Sequence, residues 1–400
     1  MKVLIVSKFF YNRGGAEVVA IGTRSLLQDN GHEVRVFAMD YPKNLAIEDR
    51  QGYASQVSFN GKGSKIKAAL RTLGRGDVKQ AAIKVLDNFN PDVVHLHNVH
   101  SYLSPVIAEL AHERGIRVVW TLHDYKLVCP AYTFRRPQGE ICRDCLGGGK
   151  SGVLRHLCMK SKLSASLLAY LEARAWNRER LNRITDVFIP PSHFMGDIMV
   201  AEGIPQDKIR VLCNFIDPPK LEVLEKEPVR EHGDGYFCYI GRLSVEKGVP
   251  TLLEAAKRAG VCLKVAGNGP LLDEMKERYG DVKKIDFLGK LNANEVAHLL
   301  NGADASVITS EWYENNPLSV IESLCAGVPV IGARIGGIPE LIESTSGLLY
   351  PSGNVEALTD IFRTFCSHTF NRADIARESR VRFCRETHYE KLMKIYKNDF

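Results

Sequence analysis

Short apolar runs alternate with longer segments of helical periodicity along the whole chain. The apolar runs lack the in/out alternation of half-exposed strands, which is typical of parallel strands buried on both faces. In the first half the predicted strands are Val3–Val6, Glu33–Ala38, Asp92–His97, Ile116–Leu122, Asp186–Ile189 and Ile209–Leu212. In the second half they are Tyr236–Ile240, Cys262–Ala266, Lys284–Leu288, Ala305–Ile308, Pro329–Ile331 and Gly347–Leu349. Helical patterns between the strands include Ala16–Asn30, Val249–Ala259, Asn294–Asn301 and Ser319–Ala326.

This alternation of strands and helices in both halves predicts two doubly wound, Rossmann-like α/β domains. We place the boundary after residue 215, because two prolines and a charged stretch follow a strand there. The first domain is then 1–215 and the second 216–375. Residues 376–400 are helical in pattern, highly charged and preceded by no further strand, so we expect them to pack back on the first domain.

Composition favours a soluble protein: 45% of the 400 residues are hydrophobic and 25% are charged. No run approaches the roughly 18 apolar residues of a membrane-spanning helix, and the N-terminus lacks the apolar core of a secretory signal. We therefore expect a cytoplasmic location, with the ten cysteines as reduced thiols.

The net charge of +6 is unevenly divided. Residues 1–215 hold 30 Lys and Arg against 20 Asp and Glu, whereas the remainder holds 23 against 27. Two stretches are especially basic, 62–84 and 150–183, and leucines interleave with the second. The cations of the first stretch are Lys62, Lys65, Lys67, Arg71, Arg75, Lys79 and Lys84.

Basic helices with an apolar stripe can lie on anionic bilayers. The pattern predicts peripheral binding at the inner face of the membrane; a charged face over an ordinary core stripe is the alternative. Nucleic acid is not an expected partner, since no aromatic residues for base stacking interleave with residues 62–84.

Four cysteines punctuate a Gly- and Arg-rich segment within a basic insertion at about 129–183. Twelve residues separate Cys129 from Cys142, two separate Cys142 from Cys145, and twelve separate Cys145 from Cys158. Four thiolates with a central C-x-x-C can close a tetrahedral zinc site that pins a long insertion. The alternative is four simple thiols with a chance C-x-x-C, since only one pair has the tight spacing of zinc ribbons.

Ligands of open α/β sheets bind beyond the carboxyl ends of the strands. Arg242 and Lys247 follow one such strand in a loop that begins and ends with glycine, and two cations there can neutralise a diphosphate. The competing interpretation is a solvated loop with two unrelated cations. Gly267 lies in a second glycine turn, a weak signal because glycines often simply make tight turns.

A stronger combination surrounds Glu314, in the loop after Ala305–Ile308. Pro317 suits a first helical turn, so the amides of Leu318 and Ser319 are predicted to point out of a helix N-terminus as an anion site. Glu322 falls one turn into that helix, on the same side. Macrodipole complementation alone explains Glu322 but not the whole set.

His95 and His97 lie at alternate positions of a strand end. A metal site is one interpretation, but a third ligand is not apparent, and we favour a polar strand end bordering a cleft.

Together these motifs resemble the family-4 retaining glycosyltransferases, of GT-B fold. The matching segments are Gly14-Gly15-Ala16-Glu17, His95-Leu96-His97-Asn98, Thr121-Leu122-His123-Asp124, Gly241–Gly248, Gly267–Pro270, Glu314 with Glu322, Ala326–Val330 and Gly336–Glu340. The resemblance implies two Rossmann-like domains facing a cleft, and a nucleoside diphosphate sugar as donor.

Carried over by position, the resemblance implies that Arg242 and Lys247 bind the diphosphate of the donor. It also implies that Glu322 binds the ribose and that Glu314 binds hydroxyls of the transferred sugar. His123 would contact the transferred sugar near the reacting carbon. The remaining implied donor contacts are backbone groups, those of Gly15, Gly267, Asn316, Pro317, Leu318 and Ser319. Asn315-Asn316-Pro317 replace the glycines common in the family, so the sugar is not inferred from it.

The resemblance further implies retention by front-face attack, with no protein nucleophile. No aspartate cluster suggests a catalytic divalent ion, and cations with helix amides would stabilise the leaving group instead. The implied acceptor is a glycan or lipid-linked sugar in surface polysaccharide biosynthesis. The alternatives are another GT-B enzyme, such as an epimerase or sucrose-type synthase, and a catalytically silent nucleotide-sugar-binding protein.

Overall fold

A computed structural model describes residues 1–45, 53–59 and 64–399. Contacts divide the chain into two units, one of Met1–Cys213 together with the residues from Tyr389 onward, the other Asn214–His388. The division falls two residues before the boundary placed from the sequence.

The first unit is built on a parallel sheet that has five strands in the described residues. The strands are β1 (Lys2–Val6), β2 (Glu33–Phe37), β3 (Val93–Leu96), β4 (Arg117–Thr121) and β5 (Val187–Ile189). Their order is β2-β1-β3-β4-β5, so the direction of winding reverses between β1 and β3. Val6 lies opposite Leu96, and Leu96 lies opposite Trp120. The residues after these strands therefore emerge side by side, at the edge where ligands bind in such folds.

The helices of the first unit cover this sheet. They are α1 (Gly15–Asp29), α2 (Ser64–Thr72), α3 (Asp77–Phe89), α4 (Val106–Glu113), α5 (Gly152–Arg155), α6 (Leu163–Ala175), α7 (Arg178–Ile184) and α8 (His193–Glu202). Local chemistry sets their ends: the Ser192 side chain caps α8 by accepting the amide hydrogen of Met195.

The predicted strand Ile209–Leu212 is wrong: the segment makes only an isolated bridge between Ile209 and Phe188. The Arg210 amide donates a hydrogen bond to the Phe188 carbonyl, and the Leu212 amide donates one to the Pro190 carbonyl. Pro190 has no N–H to donate in return, so a regular ladder does not form there.

The second unit contains a parallel sheet with six strands in the described part of the chain. They are β6 (Tyr236–Ile240), β7 (Cys262–Ala266), β8 (Ile285–Gly289), β9 (Ala305–Ile308), β10 (Val330–Ala333) and β11 (Gly347–Tyr350). The order is β11-β10-β9-β6-β7-β8. Here the winding reverses between β6 and β9, which brings together the loops that follow these two strands.

Helices α9 to α16 complete the chain. They are α9 (Pro218–Lys226), α10 (Val249–Ala259), α11 (Leu272–Tyr279), α12 (Ala293–Gly302), α13 (Leu318–Cys325), α14 (Val355–Thr364), α15 (Arg372–Arg382) and α16 (Arg385–Lys397). Leu392, Ile395 and Tyr396 of α16 are buried in the core of the first unit with strand residues such as Val3 and Val93. Among the described helices none is both long enough and apolar enough to cross a bilayer.

Candidate functional site

Lys247 and Glu314 form an ion pair where the loops after β6 and β9 meet. The Lys247 Nζ lies 2.5 Å from Oε1 of Glu314. The same oxygen accepts hydrogen bonds from Ser310 Oγ at 2.7 Å and from Trp312 Nε1 at 2.8 Å. The Glu314 side chain is only 9% exposed, whereas that of Lys247 is 27% exposed. The carboxylate is thus enclosed, and its cation keeps one side open to solvent.

The environment of Glu314 keeps it ionised. Burial alone would raise the pKa of this carboxyl, but the charge of Lys247 and the hydrogen bonds from Lys247, Ser310 and Trp312 outweigh burial and lower the pKa. An ionised carboxylate only accepts hydrogen bonds, so Glu314 suits hydroxyl donors.

Two glycines allow the strand-end loops of this unit to pack backbone against backbone. At Gly267, φ is +139°, and a Cβ would lie 1.8 Å from the carbonyl oxygen of Gly241. At Gly336, φ is +58°, and a Cβ would lie 2.3 Å from the carbonyl oxygen of Glu314. Only glycine fits such approaches, so the sequence motifs around these glycines build the edge that carries Glu314.

Arg242 is exposed at the end of β6. The Tyr239 hydroxyl fixes its backbone by donating a 2.9 Å hydrogen bond to the Arg242 carbonyl. In the part of the chain that the structure describes, no ion pair engages its guanidinium, so Arg242 remains available to an anion.

The helix N-terminus predicted around Pro317 is present. Pro317 is the N-cap of α13 rather than a residue of its first turn. The first amides of a helix have no intrahelical partner, so those of Leu318 and Ser319 remain for an anion. The side chain of Asn316 is buried and accepts a 3.1 Å hydrogen bond from the Asn214 amide; its role is to hold that chain segment.

Glu322 in α13 is paired with Lys220 of α9. The sequence indicated neither the role of Lys220 nor those of Ser310 and Trp312 around Glu314. For Lys220 the available signal was its place in the first turn after Pro218 and Pro219, but its partner is 102 residues away.

In the first unit His123 follows β4 and contacts a histidine of the neighbouring strand. Nε2 of His123 lies 2.9 Å from Nδ1 of His97. His95 is buried: Nδ1 contacts the Tyr396 hydroxyl at 2.7 Å, and Nε2 contacts the Thr121 hydroxyl at 2.7 Å. These contacts fit the favoured interpretation of His95 and His97 as a polar strand end.

Several ionisable groups around His123, and His123 itself, have shifted pKa values. Burial, with a contribution from the charge of Lys8, lowers the pKa of His123 to about 3, so its imidazole is neutral at pH 7. Burial also lowers the pKa of Lys8 and raises that of Asp124 and that of Glu17. Gly15, the first residue of α1, brings free helix amides to the same strand ends.

The cations of the two basic stretches lie in different environments. Arg71 does not belong to a charged surface: it is fully buried, and its guanidinium binds Asp77 and the Ser55 carbonyl. Burial disfavours the Asp77 carboxylate, but hydrogen bonds and the charge of Arg71 prevail and lower its pKa to about 2. Lys62 and the side chain of Lys65 lie outside the described residues.

An apolar stripe on α6 is exposed rather than part of a core. Its members, called here the α6 leucine stripe, are Leu163, Leu167 and Leu171, with 64%, 45% and 44% of their surface exposed. Lys160, Lys162 and Arg174 beside it are also exposed.

The four cysteines of the insertion come together. Cys129, Cys142, Cys145 and Cys158 are free thiols and line one small cavity, together with His156.

Comparisons with known proteins identify the family. The model described as Glycosyltransferase Family 4 matches residues 13–220, and the model described as Glycosyl transferases group 1 matches residues 222–382. The 2-deoxystreptamine N-acetyl-D-glucosaminyltransferase of Streptomyces fradiae is 31% identical over 397 residues, 90% of this chain and 87% of that protein.

Further relatives match over shorter stretches or are more distant. The amylovoran biosynthesis glycosyltransferase AmsK of Erwinia amylovora is 28% identical over 205 residues, 48% of this chain and 50% of that protein. The chain spans half or less of the length of several such curated relatives. A crystal structure of Anabaena Alr3699/HepE in complex with UDP superposes with a TM-score of 0.66 at 18% identity, covering 100% of both chains. The chain therefore belongs to glycosyltransferase family 4 and has the GT-B fold.

Proposed function

We propose that this chain transfers a hexosyl or N-acetylhexosaminyl group, with retention, from a nucleoside diphosphate sugar to a glycan or lipid-linked acceptor in surface polysaccharide assembly. One observation carries the proposal. The second unit gathers an open cation, a cation paired with a buried carboxylate, and free helix amides at the winding reversal of its sheet. The names of two similar proteins support it: AmsK acts in amylovoran biosynthesis, and Alr3699/HepE was crystallised with UDP.

The loops after β6 and β9 are better suited to bind the diphosphate than any other part of the donor. Arg242 offers a planar guanidinium that can bind phosphate oxygens in pairs. The ammonium of Lys247 has three donors, so it can keep Glu314 and still reach a phosphate from its open side. Negative charge develops on the leaving diphosphate, and these cations with the amides of Leu318 and Ser319 stabilise it in place. On this proposal the transfer needs no catalytic metal.

The two carboxylates of the site bind hydroxyl groups of the donor. Glu314 accepts from the transferred sugar and Glu322 from the ribose. Each is oriented by a lysine of the same unit, Lys247 and Lys220 respectively. Because a carboxylate has about four lone-pair sites, each can keep its lysine and accept from a hydroxyl.

His123 keeps the role that the family resemblance gives it, a hydrogen bond to the transferred sugar. With a pKa of about 3, it is too weak a base to take the acceptor proton efficiently at neutral pH. The leaving phosphate takes that proton, and the acceptor attacks from the face that the phosphate leaves. The anomeric configuration of the product, determined by NMR, tests retention directly.

The acceptor side includes a membrane contact. The α6 leucine stripe and its exposed cations combine an apolar surface with charges attracted to anionic lipid headgroups, at about 1 kcal/mol per cation. A lipid-linked acceptor would be presented at such a surface.

The test is a screen of nucleoside diphosphate sugars for thermal stabilisation and slow hydrolysis by the full chain. Arg242→Ala is the best variant, because this side chain is exposed and contributes no ion pair to the described structure. A charge-assisted contact is worth about 1.5–3 kcal/mol, so affinity for the stabilising donor should fall about ten- to hundred-fold. The matched control is Lys283→Ala, an exposed cation before β8, which should bind donor as wild type. Equal donor binding by both variants would refute the diphosphate assignment.

A further inference from the structure

The insertion that follows the His123 loop has little to hold it in shape. Between residues 129 and 160 its regular structure consists of the four-residue helix α5 and one isolated bridge, Arg135 to Ile141. Its buried apolar side chains besides cysteine are few, Ala131, Phe134 and Val153. Small segments with so little core usually need a disulfide or a metal.

The backbone of the insertion is also strained. Left-handed φ values, unfavourable for residues with a side chain, occur at Tyr132, Phe134, Leu157, Lys160 and Ser161. Something other than apolar packing must compensate for these conformations.

The four cysteine side chains are the groups that converge inside the insertion. Cys129 and Cys145 are buried, Cys142 and Cys158 are half-buried, and all four line the same small cavity. The Arg135–Ile141 bridge brings this about, because the Cys142 amide then donates to the Phe134 carbonyl at 2.7 Å. The side chain of Cys142 thereby reaches the cavity from one side while Cys158, just after α5, reaches it from another.

The backbone of α5 lies against the cluster. A Cβ on Gly152 would lie 3.1 Å from the Cys145 sulfur, and the Cys158 sulfur lies 3.9 Å from the Gly152 carbonyl oxygen. The helix therefore closes one side of the cavity that the four thiols line.

We infer that Cys129, Cys142, Cys145 and Cys158 bind one structural zinc ion as thiolates. The site is independent of the proposed transfer reaction. Sulfur is the preferred ligand of closed, four-coordinate structural zinc. Binding requires the four thiols to lose their protons and involves no oxidant or reductant.

A second donor set borders the same cavity. In the described residues, Cys142, Asp144 and His156 offer ligand atoms within 4.8 Å of one another, a spacing that no three of the four cysteines reach. The four sulfurs would therefore draw together on binding an ion. However, Nε2 of His156 already contacts Asp144 at 2.7 Å, and Asp144 also pairs with Arg136 at 3.2 Å. We assign Asp144 and His156, with Arg136, to a hydrogen-bonded group beside the cavity and keep Cys142 as a ligand.

The zinc would fix the start of the insertion relative to the loop of His123. The amide of Cys129 donates to the Tyr125 carbonyl at 2.7 Å. Two nearly buried lysines complete the attachment: Lys126 pairs with Glu172 at 2.9 Å, and Lys150 pairs with Glu202 at 2.6 Å. Loss of zinc should therefore release residues 129–158 first and disturb the His123 loop only through Tyr125.

The first experiment measures metal in the full chain purified under reducing conditions. We expect one zinc per chain by mass spectrometry. Removal of zinc from the wild type by a chelator should expose four additional thiols to a thiol reagent and make residues 129–158 accessible to protease. A substoichiometric trace of zinc, or equal thiol reactivity with and without chelator, would overturn the inference.

Variants and spectroscopy then test the ligands. Cys142→Ser, at a half-buried position, should lose most of the zinc, and Cys366→Ser, an exposed cysteine of the second unit, should keep it. X-ray absorption of the wild type should show four sulfur neighbours at about 2.3 Å. Three sulfurs and one nitrogen would refute the four-thiolate set in favour of His156, and that measurement does not depend on whether any variant folds.

Discussion

Replacing the two members of the Lys247–Glu314 pair, singly and together, separates the structural role of the pair from the role in donor binding that we propose for it. The perturbations are Lys247→Met, Glu314→Gln and the double variant. Removing one partner of a buried ion pair costs about 3–5 kcal/mol. Here Lys247 is 27% exposed and Glu314 keeps the hydrogen bonds from Ser310 and Trp312, so we expect about 2 kcal/mol for Lys247→Met.

The other two variants should cost less. Glu314→Gln retains an oxygen for Ser310 and Trp312, and the lysine can turn to solvent, so about 1 kcal/mol is expected. The double variant leaves no buried charge and should also cost about 1 kcal/mol. The coupling energy between the two positions is then about 2 kcal/mol.

The pH dependence follows from the direction of the Glu314 pKa. The ion pair lowers it below the ordinary value of 4.5, so the pair stabilises the folded chain fully above pH 4.5 and loses its effect as the pH falls through the lowered pKa. In Lys247→Met only the hydrogen bonds from Ser310 and Trp312 still oppose burial, so the pKa of Glu314 rises relative to that in the wild type. The stability difference between wild type and Lys247→Met should therefore be largest at neutral pH and shrink as the pH falls, first through the raised pKa of Glu314 in the variant and then toward its lowered pKa in the wild type.

The assay combines urea unfolding, followed by circular dichroism, with donor binding. The double variant should recover about half of the stability lost in Lys247→Met but none of the donor affinity, since the proposed diphosphate contact still lacks its lysine. Additive free energies, with a coupling below about 0.5 kcal/mol, would refute the electrostatic account. Full donor binding by the double variant would refute the role of Lys247.

Two further changes test the backbone of the donor edge and the membrane surface. Gly267→Ala places a Cβ 1.8 Å from the Gly241 oxygen and should cost more than about 2 kcal/mol in urea unfolding. Gly260→Ala, with φ +68° and no atom within 4 Å, should cost only about 1 kcal/mol, and equal losses would contradict the close-packing argument. Leu167→Ser in the α6 leucine stripe should weaken co-sedimentation with anionic vesicles about tenfold, whereas Leu288→Ser, an equally exposed leucine of the second unit, should not. Unchanged sedimentation of the Leu167 variant would exclude the stripe from the membrane contact.

The fold was predictable because parallel strands buried on both faces leave continuous apolar runs in the sequence. Strand ends were predictable for the same reason, and so were the loops that carry Arg242 and Glu314. The failure at Ile209–Leu212 has a different origin. The segment has a strand's composition, but the ladder depends on what the neighbouring strand can donate, and Pro190 can donate nothing.

Which residues pair with one another was much harder to predict from the sequence than which residues carry charge or form hydrogen bonds. A run of cations on one helix indicates a charged surface, yet Arg71 is buried because Asp77 and the Ser55 carbonyl lie within its reach. Likewise the sequence indicates that Glu322 lies one turn into a helix, but not that Lys220, 102 residues earlier, will pair with it. Such contacts depend on the order of strands and helices in space, which periodicity does not contain.

The pairings alter what the motif residues can do. A carboxylate that is to bind sugar hydroxyls in an enclosed site must stay ionised although burial favours its neutral form. For Glu314 the opposing charge comes from Lys247 of a different loop; Glu322 is paired with Lys220 of a different helix. On the proposed function Lys247 has two tasks, to keep Glu314 ionised and to bind the diphosphate, and its three donors are sufficient for both. A residue with two tasks gives an ambiguous result when it is changed alone, so the functional evidence at this edge must come from Arg242 and from the double variant.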